Sequence, residues 1–140
     1  MKKKITGNSA QYVVRATGVG KGKGLFTMQK IKKGEFVIEY TGTKITTATA
    51  DALGTRYLFE LDSEWTIDGS VRTNTARYIN HSCDPNCEAE IDEDKIMIYA
   101  VKNIVQGEEL SFDYGEEYFN DFIRPIGCRC HTKLCRKPAI

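Results

Sequence analysis

The sequence predicts a single, mainly β domain made of several small sheets with short helices between them. Two observations carry this expectation. Short runs rich in β-branched and aromatic residues recur between turn residues, and stretches with helical periodicity are few and brief. A third bounds the count: 140 residues, 41% of them hydrophobic, suffice for one core, and no Pro- or Ser-rich linker divides them.

In chain order the expected strands are QYVVRA (11–16), GLFTM (24–28), FVIEYTGTKI (36–45), RYLFELD (56–62), KIMIYAV (95–101) and ELSFDY (109–114). Helices are expected only over 46–53 (TTATADAL) and 73–79 (TNTARYI). Two segments, IKKGEF (31–36) and IVQGEEL (104–110), share an Ile-x-x-Gly-Glu turn ahead of a strand, and a single pair marks a recurrent turn rather than a repeat array. The stretch GVGKGKG (18–24) has neither spacing of a nucleotide-binding loop and precedes strand-like rather than helix-like residues. It reads either as a hairpin turn or as a loop whose missing Cβ atoms at Gly22 and Gly24 let the backbone approach a ligand.

The formal net charge of +1 conceals a strong polarity. Residues 1–59 carry 11 Lys/Arg against 3 Asp/Glu, residues 60–121 carry 4 against 16, and residues 122–140 carry 5 against none. An acidic middle between basic ends is a poor footprint for nucleic acid, which wants a continuous basic surface. It suits a Lys/Arg-rich protein partner, steered inward by an acidic cleft, as well as it suits ordinary solvated charge. No apolar run reaches the about 18 residues that suggest a membrane span, and MKKKITGNSAQYVV lacks the apolar segment of a secretion signal. The expectation is a soluble intracellular protein with no membrane partner; the sequence assigns neither cytoplasm nor nucleus, and no oligomeric state.

Five cysteines stand at 83, 87, 128, 130 and 135. The tail GCRCHTKLCRK holds three thiols within eight residues, flanked by Arg129, Lys133, Arg136 and Lys137, whose charge favours the metal-binding thiolate. A tetrahedral zinc site needs four ligands, so the tail must borrow one, from Cys83, Cys87 or the local His131. The alternative is a frayed tail with free thiols. The segment YINHSCDPNC (78–87) crowds reactive-looking residues together without spelling a known nucleophile motif.

In their order and separation, KGKGLF (21–26), EYTG (39–42), YLFELD (57–62), RYINHSCDPNC (77–87), GEELSFDYG (107–115) and CRCHTKLC (128–135) resemble the SET-domain protein lysine methyltransferases, over about Gln11 to Lys137. The resemblance implies a SET fold of β-clip type with a pseudoknotted active site, in which the segment Asn80–Asn86 threads through a neighbouring loop, an arrangement rare in proteins. It implies a SET domain over 11–118 and a post-SET-like cysteine-rich tail over 119–137. It implies one zinc ion on Cys83, Cys128, Cys130 and Cys135, and Cys87 as a free thiol. It implies S-adenosyl-L-methionine bound by Gly22, Lys23, Gly24, Asn80, His81 and Tyr114, with Arg77 and an aromatic at Tyr118 or Phe119 as further family counterparts. Ion pairing and core packing are the alternatives for these last residues.

In the same resemblance Tyr114 is the catalytic tyrosine and Tyr57 and Phe112 line the lysine channel. The implied activity is S-adenosylmethionine-dependent methylation of a lysine in a basic protein tail, histone or histone-like. Phe112 implies a product beyond monomethyl-lysine, because phenylalanine cannot hold the water that would block a further methyl. The alternatives are a methyltransferase of a non-histone basic protein and a catalytically silent, zinc-containing peptide-binding module. Thr43 stands where relatives often have Glu, no cysteine cluster precedes residue 11, and the insert at 46–55 is unusually brief.

Overall fold

The computed structural model describes residues 11–17, 22–54 and 56–137. Gly18, Val19, Gly20 and Lys21 of the glycine stretch, and Thr55 of the brief insert, lie outside the described residues. Among the described residues, ten short strands form four small sheets, joined by few and short helical segments.

β1 (Tyr12–Ala16) and β2 (Lys23–Thr27) form an antiparallel hairpin, closed by the Thr17 N–H donating to the Gly22 carbonyl at 2.9 Å. The two strands thus pair on either side of the glycine stretch, and Gly22, at φ +77°, takes the left-handed conformation that only glycine adopts freely. β3 (Phe36–Tyr40), β8 (Cys87–Asp92) and β9 (Lys95–Ala100) make a second antiparallel sheet with β9 central. Being central, β9 buries Ile96, Met97, Ile98 and Ala100, which is why its sequence is nearly all apolar. β4 (Thr43–Thr46), β5 (Leu58–Glu60) and β6 (Trp65–Asp68) make the third sheet, with β6 central.

The expected strand 36–45 is two strands in different sheets. Gly42 breaks it: a Cβ there would stand 2.2 Å from the Asp68 carbonyl oxygen. α1 (Thr47–Leu53) follows, capped by the Thr46 hydroxyl, which accepts from the Thr49 N–H at 3.1 Å, and ended by Gly54 at φ +63°. The second expected helix shrinks to a 3-10 turn over Thr75–Tyr78. The expected strand 109–114 is only β10 (Ser111–Phe112), paired in parallel with β7 (Asn80–His81). A last helical turn, α2 (Glu116–Tyr118), runs on into a wider turn at Phe119–Ile123.

The two Ile-x-x-Gly-Glu turns pair with each other. Ile31 and Ile104 exchange both backbone hydrogen bonds at 2.8 Å. In each turn the Glu carboxylate accepts from the N–H three residues before it, Glu35 from Lys32 at 2.9 Å and Glu108 from Val105 at 3.0 Å. The core gathers Leu25 from the hairpin, Ile38, Ile67 and Ile98 from the two three-stranded sheets, and Ile79 and Leu110 from just before β7 and β10. Among the described residues no helix is long and apolar enough to cross a membrane.

Candidate active site and metal centre

The polar segment 78–87 is held in place by its own side chains. Asn86, buried, donates from Nδ2 to the Glu109 carbonyl and accepts at Oδ1 from the Ser111 N–H, both at 2.9 Å. One side chain thus supplies the bonds a neighbouring strand would give. Ser82 N–H donates to the Phe112 carbonyl, and the Ser82 hydroxyl accepts from the Asp84 N–H at 3.0 Å. Asp84 pairs with Lys102 at 3.0 Å. These polar residues replace sheet hydrogen bonds in a stretch too irregular to form them.

Beside this segment opens a cavity of about 980 Å³. Its lining includes the aromatic residues Tyr40, Tyr57, Phe59, Phe112, Tyr114 and Tyr118, together with Gly22, Lys23, Asn80 and His81. Asp51, Glu60, Glu116, Glu117 and Asp121 also line it, so part of its wall is acidic. Burial, and then the charges of Glu117, Asp51 and Asp62, raise the Glu60 carboxyl above its ordinary value.

The aromatic wall is rigid. The Phe112 ring, 4% exposed, lies 5.0 Å from Tyr114 and 6.2 Å from Phe59, and Tyr118 meets Tyr114 edge-on at 5.0 Å. The Tyr114 hydroxyl donates to the Ile79 carbonyl, which leaves its oxygen as an acceptor. Burial drives the Tyr114 hydroxyl well above its ordinary ionisation range, so it stays neutral. Arg77 caps this wall: its guanidinium stacks over Tyr57 at 5.2 Å, with Nη1 donating to the Ser70 carbonyl at 2.6 Å.

His81 joins this wall to the cysteine cluster. Its Nδ1 accepts from the Tyr114 N–H at 3.1 Å, and its Nε2 lies 3.4 Å from Cys83 Sγ. Burial pushes the imidazole down to about 4, with Asp113 opposing and Arg136 adding to the shift. Neutral at pH 7 and accepting at Nδ1, the ring carries its proton on Nε2, facing the sulfur. Both nitrogens are therefore engaged within the protein, and its remaining approach to the cavity is through the main chain. Phe119, 1% exposed, packs against the His81 ring at 5.4 Å, with the Arg136 guanidinium over it at 4.4 Å. Of the two aromatic candidates, Tyr118 lines the cavity and Phe119 is core beneath it.

The sulfur atoms of Cys83, Cys128, Cys130 and Cys135 all lie within 4.8 Å of one another, with Cys83 and Cys128 3.9 Å apart. Four thiolates around a zinc ion at about 2.3 Å sit about 3.8 Å apart, so this donor set fits a closed tetrahedral site. Burial raises the Cys130 thiol, but hydrogen bonds from Thr132 and neighbouring backbone outweigh it and pull the group down to about 6. Cys87 stands apart, wholly buried in β8, its thiol pushed up to about 12 by burial.

Sequence reasoning assigned no role to Glu109. Its carboxylate lies against Gly24, where a Cβ would come within 2.3 Å of Oε2. The missing Cβ at Gly24 thus makes room for a side chain of the protein. The only signal for this was the pairing of GKG with GEEL in one motif set, which names no contact.

The SET-domain family profile matches residues 22–115, well over half of the chain. Among curated relatives, "Histone-lysine N-methyltransferase trithorax" of Drosophila virilis is 38% identical over 129 residues, covering 83% of this chain and 3% of that protein. "Histone-lysine N-methyltransferase, H3 lysine-4 specific" of Schizosaccharomyces pombe is 40% identical over 126 residues, covering 81% of this chain and 13% of that protein. "Histone-lysine N-methyltransferase SUV39H2" of Xenopus tropicalis is 36% identical over 150 residues, covering 86% of this chain and 37% of that protein. The chain therefore spans only a minor part of the length of these relatives. With its small sheets, its Asn-His-Ser-Cys and Phe-Asp-Tyr segments side by side and its four-cysteine cluster, the chain belongs to the SET-domain family.

Proposed function

We propose that this chain is an S-adenosylmethionine-dependent protein-lysine N-methyltransferase acting on a lysine in a basic, histone or histone-like tail, with a product beyond monomethyl-lysine. Residues 11–118 act as the SET domain and 119–137 as a post-SET-like tail closed by one zinc ion on Cys83, Cys128, Cys130 and Cys135. The single observation that carries the reading is that the aromatic residues, the glycine-loop residues Gly22 and Lys23, and Asn80, His81 and Tyr114 all line one cavity.

S-adenosylmethionine, when bound, supplies a methyl group on a positively charged sulfur. Gly22, Lys23, Asn80 and the His81 main chain hold it, Gly24 making room for Glu109 beside Asn80, with Arg77 and Tyr118 on the surrounding wall and Phe119 packed behind it. Tyr57 and Phe112 bound the lysine side chain and exclude water. An apolar, aromatic channel disfavours an ammonium of ordinary pKa near 10.4 and so favours the neutral amine, the form with a lone pair. Aromatic faces also tolerate a methylated ammonium as product. Tyr114, its proton committed to Ile79, presents an oxygen that accepts from the amine and orients it. A hydroxyl held neutral by burial is no general base, and the tied ring nitrogens of His81 leave it none to offer. Neither residue takes the lysine proton, which leaves for water as the channel strips solvent from the amine.

The acidic middle of the sequence supports a Lys/Arg-rich partner over nucleic acid, while the cavity wall itself carries Lys23, Arg56, Arg77 and Arg129 beside its five carboxylates. The test is incubation of the pure chain with methyl-labelled cofactor and a mixed proteome, with mapping of the labelled residues. Labelled lysines in histone-like tails are expected, and in Tyr114→Phe the label should fall on the order of 100-fold while the fold persists. Label confined to other basic proteins would favour a non-histone substrate. Tight binding of basic peptides without transfer would reduce the chain to a binding module.

A further inference from the structure

Glu109 stands at the meeting point of three chain segments next to the cavity. Its Oε1 accepts from the Thr17 hydroxyl at 2.6 Å, and its Oε2 accepts from Asn80 Nδ2 at 2.9 Å. The same Asn80 Nδ2 also donates to the Lys23 carbonyl at 2.9 Å. Gly24 supplies the space, since any larger residue there would collide with Oε2.

The chemistry of these contacts fixes which way the Asn80 amide faces. A carboxylate and a backbone carbonyl can only accept hydrogen bonds, and an amide offers donors on one side only. Two acceptors 2.9 Å from one atom of Asn80 therefore require that atom to be the nitrogen, with both hydrogens consumed. What remains of the side chain is Oδ1, an acceptor, on a residue that lines the cavity. Were residue 109 a glutamine, it could present its own N–H₂, and only the Lys23 carbonyl would still hold the Asn80 nitrogen in place.

We infer that Glu109 is a positioning residue that locks the polarity of Asn80, so that this point of the cavity accepts a hydrogen bond and selects a ligand with a donor there, such as an ammonium group. The inference rests on the reading of the cavity as a cofactor site. The amino end of S-adenosylmethionine is a donor of this class, and a carboxylate in the same place would meet an oxygen and be refused.

The test is calorimetric binding of S-adenosylmethionine, and of an analogue whose amino group is replaced by hydrogen, to wild type and Glu109→Gln. A hydrogen bond to a charged group is worth roughly tenfold in affinity, so Glu109→Gln should bind the cofactor about tenfold more weakly. Deleting the amine should weaken binding to wild type by a similar factor and to the variant by much less, the non-additivity of groups that act together. Circular dichroism and zinc content verify that the variant is folded. If it is not, Thr17→Val, which removes only the hydroxyl holding Oε1, is measured instead and should show the same direction. Equal affinity in wild type and variant overturns the role of Glu109 alone. Failure of wild type to bind the cofactor overturns the cofactor reading and this inference with it.

Discussion

Arg136, one residue beyond the last cysteine, reaches back to the Phe-Asp-Tyr segment: its Nη2 lies 3.0 Å from Asp113 Oδ1, next to Tyr114. The same residue's N–H donates to Cys83 Sγ at 3.4 Å, and Asp113 Oδ1 also accepts from the Gly115 N–H at 2.9 Å. Although burial alone would raise it, these bonds and the guanidinium charge hold the Asp113 carboxyl below its ordinary value. The pair is partly exposed, so its contribution to stability is small. Its value lies in geometry. Arg136→Met is expected to leave the zinc content and the melting temperature nearly unchanged while kcat falls on the order of tenfold or more, since small misplacements of reacting groups cost that much. Hydrogen exchange of the Tyr114 and Gly115 amides should quicken in parallel; unchanged protection would mean that the contact positions nothing.

The cysteine cluster makes a sharper expectation. Purified protein should contain about one equivalent of zinc, and Cys130→Ser should lose most of it, because a serine hydroxyl is a far poorer ligand than a thiolate. With the tail undocked, Arg136 leaves Asp113 and activity falls too. Elemental analysis alongside a methyl-transfer assay checks both, and full activity in zinc-free protein would separate the tail from catalysis.

Phe112 carries the expectation about product. It presents no donor or acceptor to the channel and is fixed between Phe59 and Tyr114. Wild type is expected to add at least two methyl groups to one lysine. Phe112→Tyr should stop at one, its hydroxyl holding a water in the space the next methyl needs. Mass spectrometry of a basic peptide after long incubation decides it; a wild type that halts at monomethyl-lysine would show the gate to be elsewhere.

Alkaline pH should destabilise the fold through its buried hydroxyls. Tyr12 donates to the Val37 carbonyl at 2.8 Å and Tyr40 to the Tyr57 carbonyl at 3.0 Å, while Tyr114 donates to Ile79. Burial raises all three above their ordinary value, Tyr12 to about 12. Above about pH 10 the unfolded chain sheds these protons while the folded chain keeps them, so stability falls as pH rises. The melting temperature should be level between pH 7 and 9 and drop steeply beyond 10. A level curve up to pH 11 would contradict the burial of these groups.

The architecture was legible where one residue type dominates a local decision. Thr46 and Gly54 bracket α1 where the sequence places it, and the apolar run of β9 gives its central position away. β8 was missed because it is an edge strand whose outward positions are Glu88, Glu90 and Asp92, so its alternation reads as a charged loop. β6 was missed because its four residues, Trp65–Asp68, are too few to establish a period. The residue types of the site could be read off the motifs, and the four sulfur atoms do converge. What a motif does not reveal is which atoms of a side chain are already spent. His81 turned out to have both nitrogens occupied, and Glu109 was hidden inside a motif as a mere neighbour of the strand. Such roles depend on contacts between residues tens of positions apart.

The isolation of Cys87 gives the experimenter a gauge. Of the five thiols, this one is sealed in the core and resists ionisation, so a thiol-reactive dye cannot reach it while the domain is folded. Cys83, Cys130 and Cys135 are only partly buried, so in the proposed zinc site it is the metal that masks them, whereas Cys128 is also covered by the protein. Dye uptake on native protein therefore registers the loading of the proposed site: near zero equivalents when filled, at least three when stripped by a chelator, and Cys87 only on denaturation. One colorimetric titration thus distinguishes a preparation that has lost its metal from one that has lost its fold.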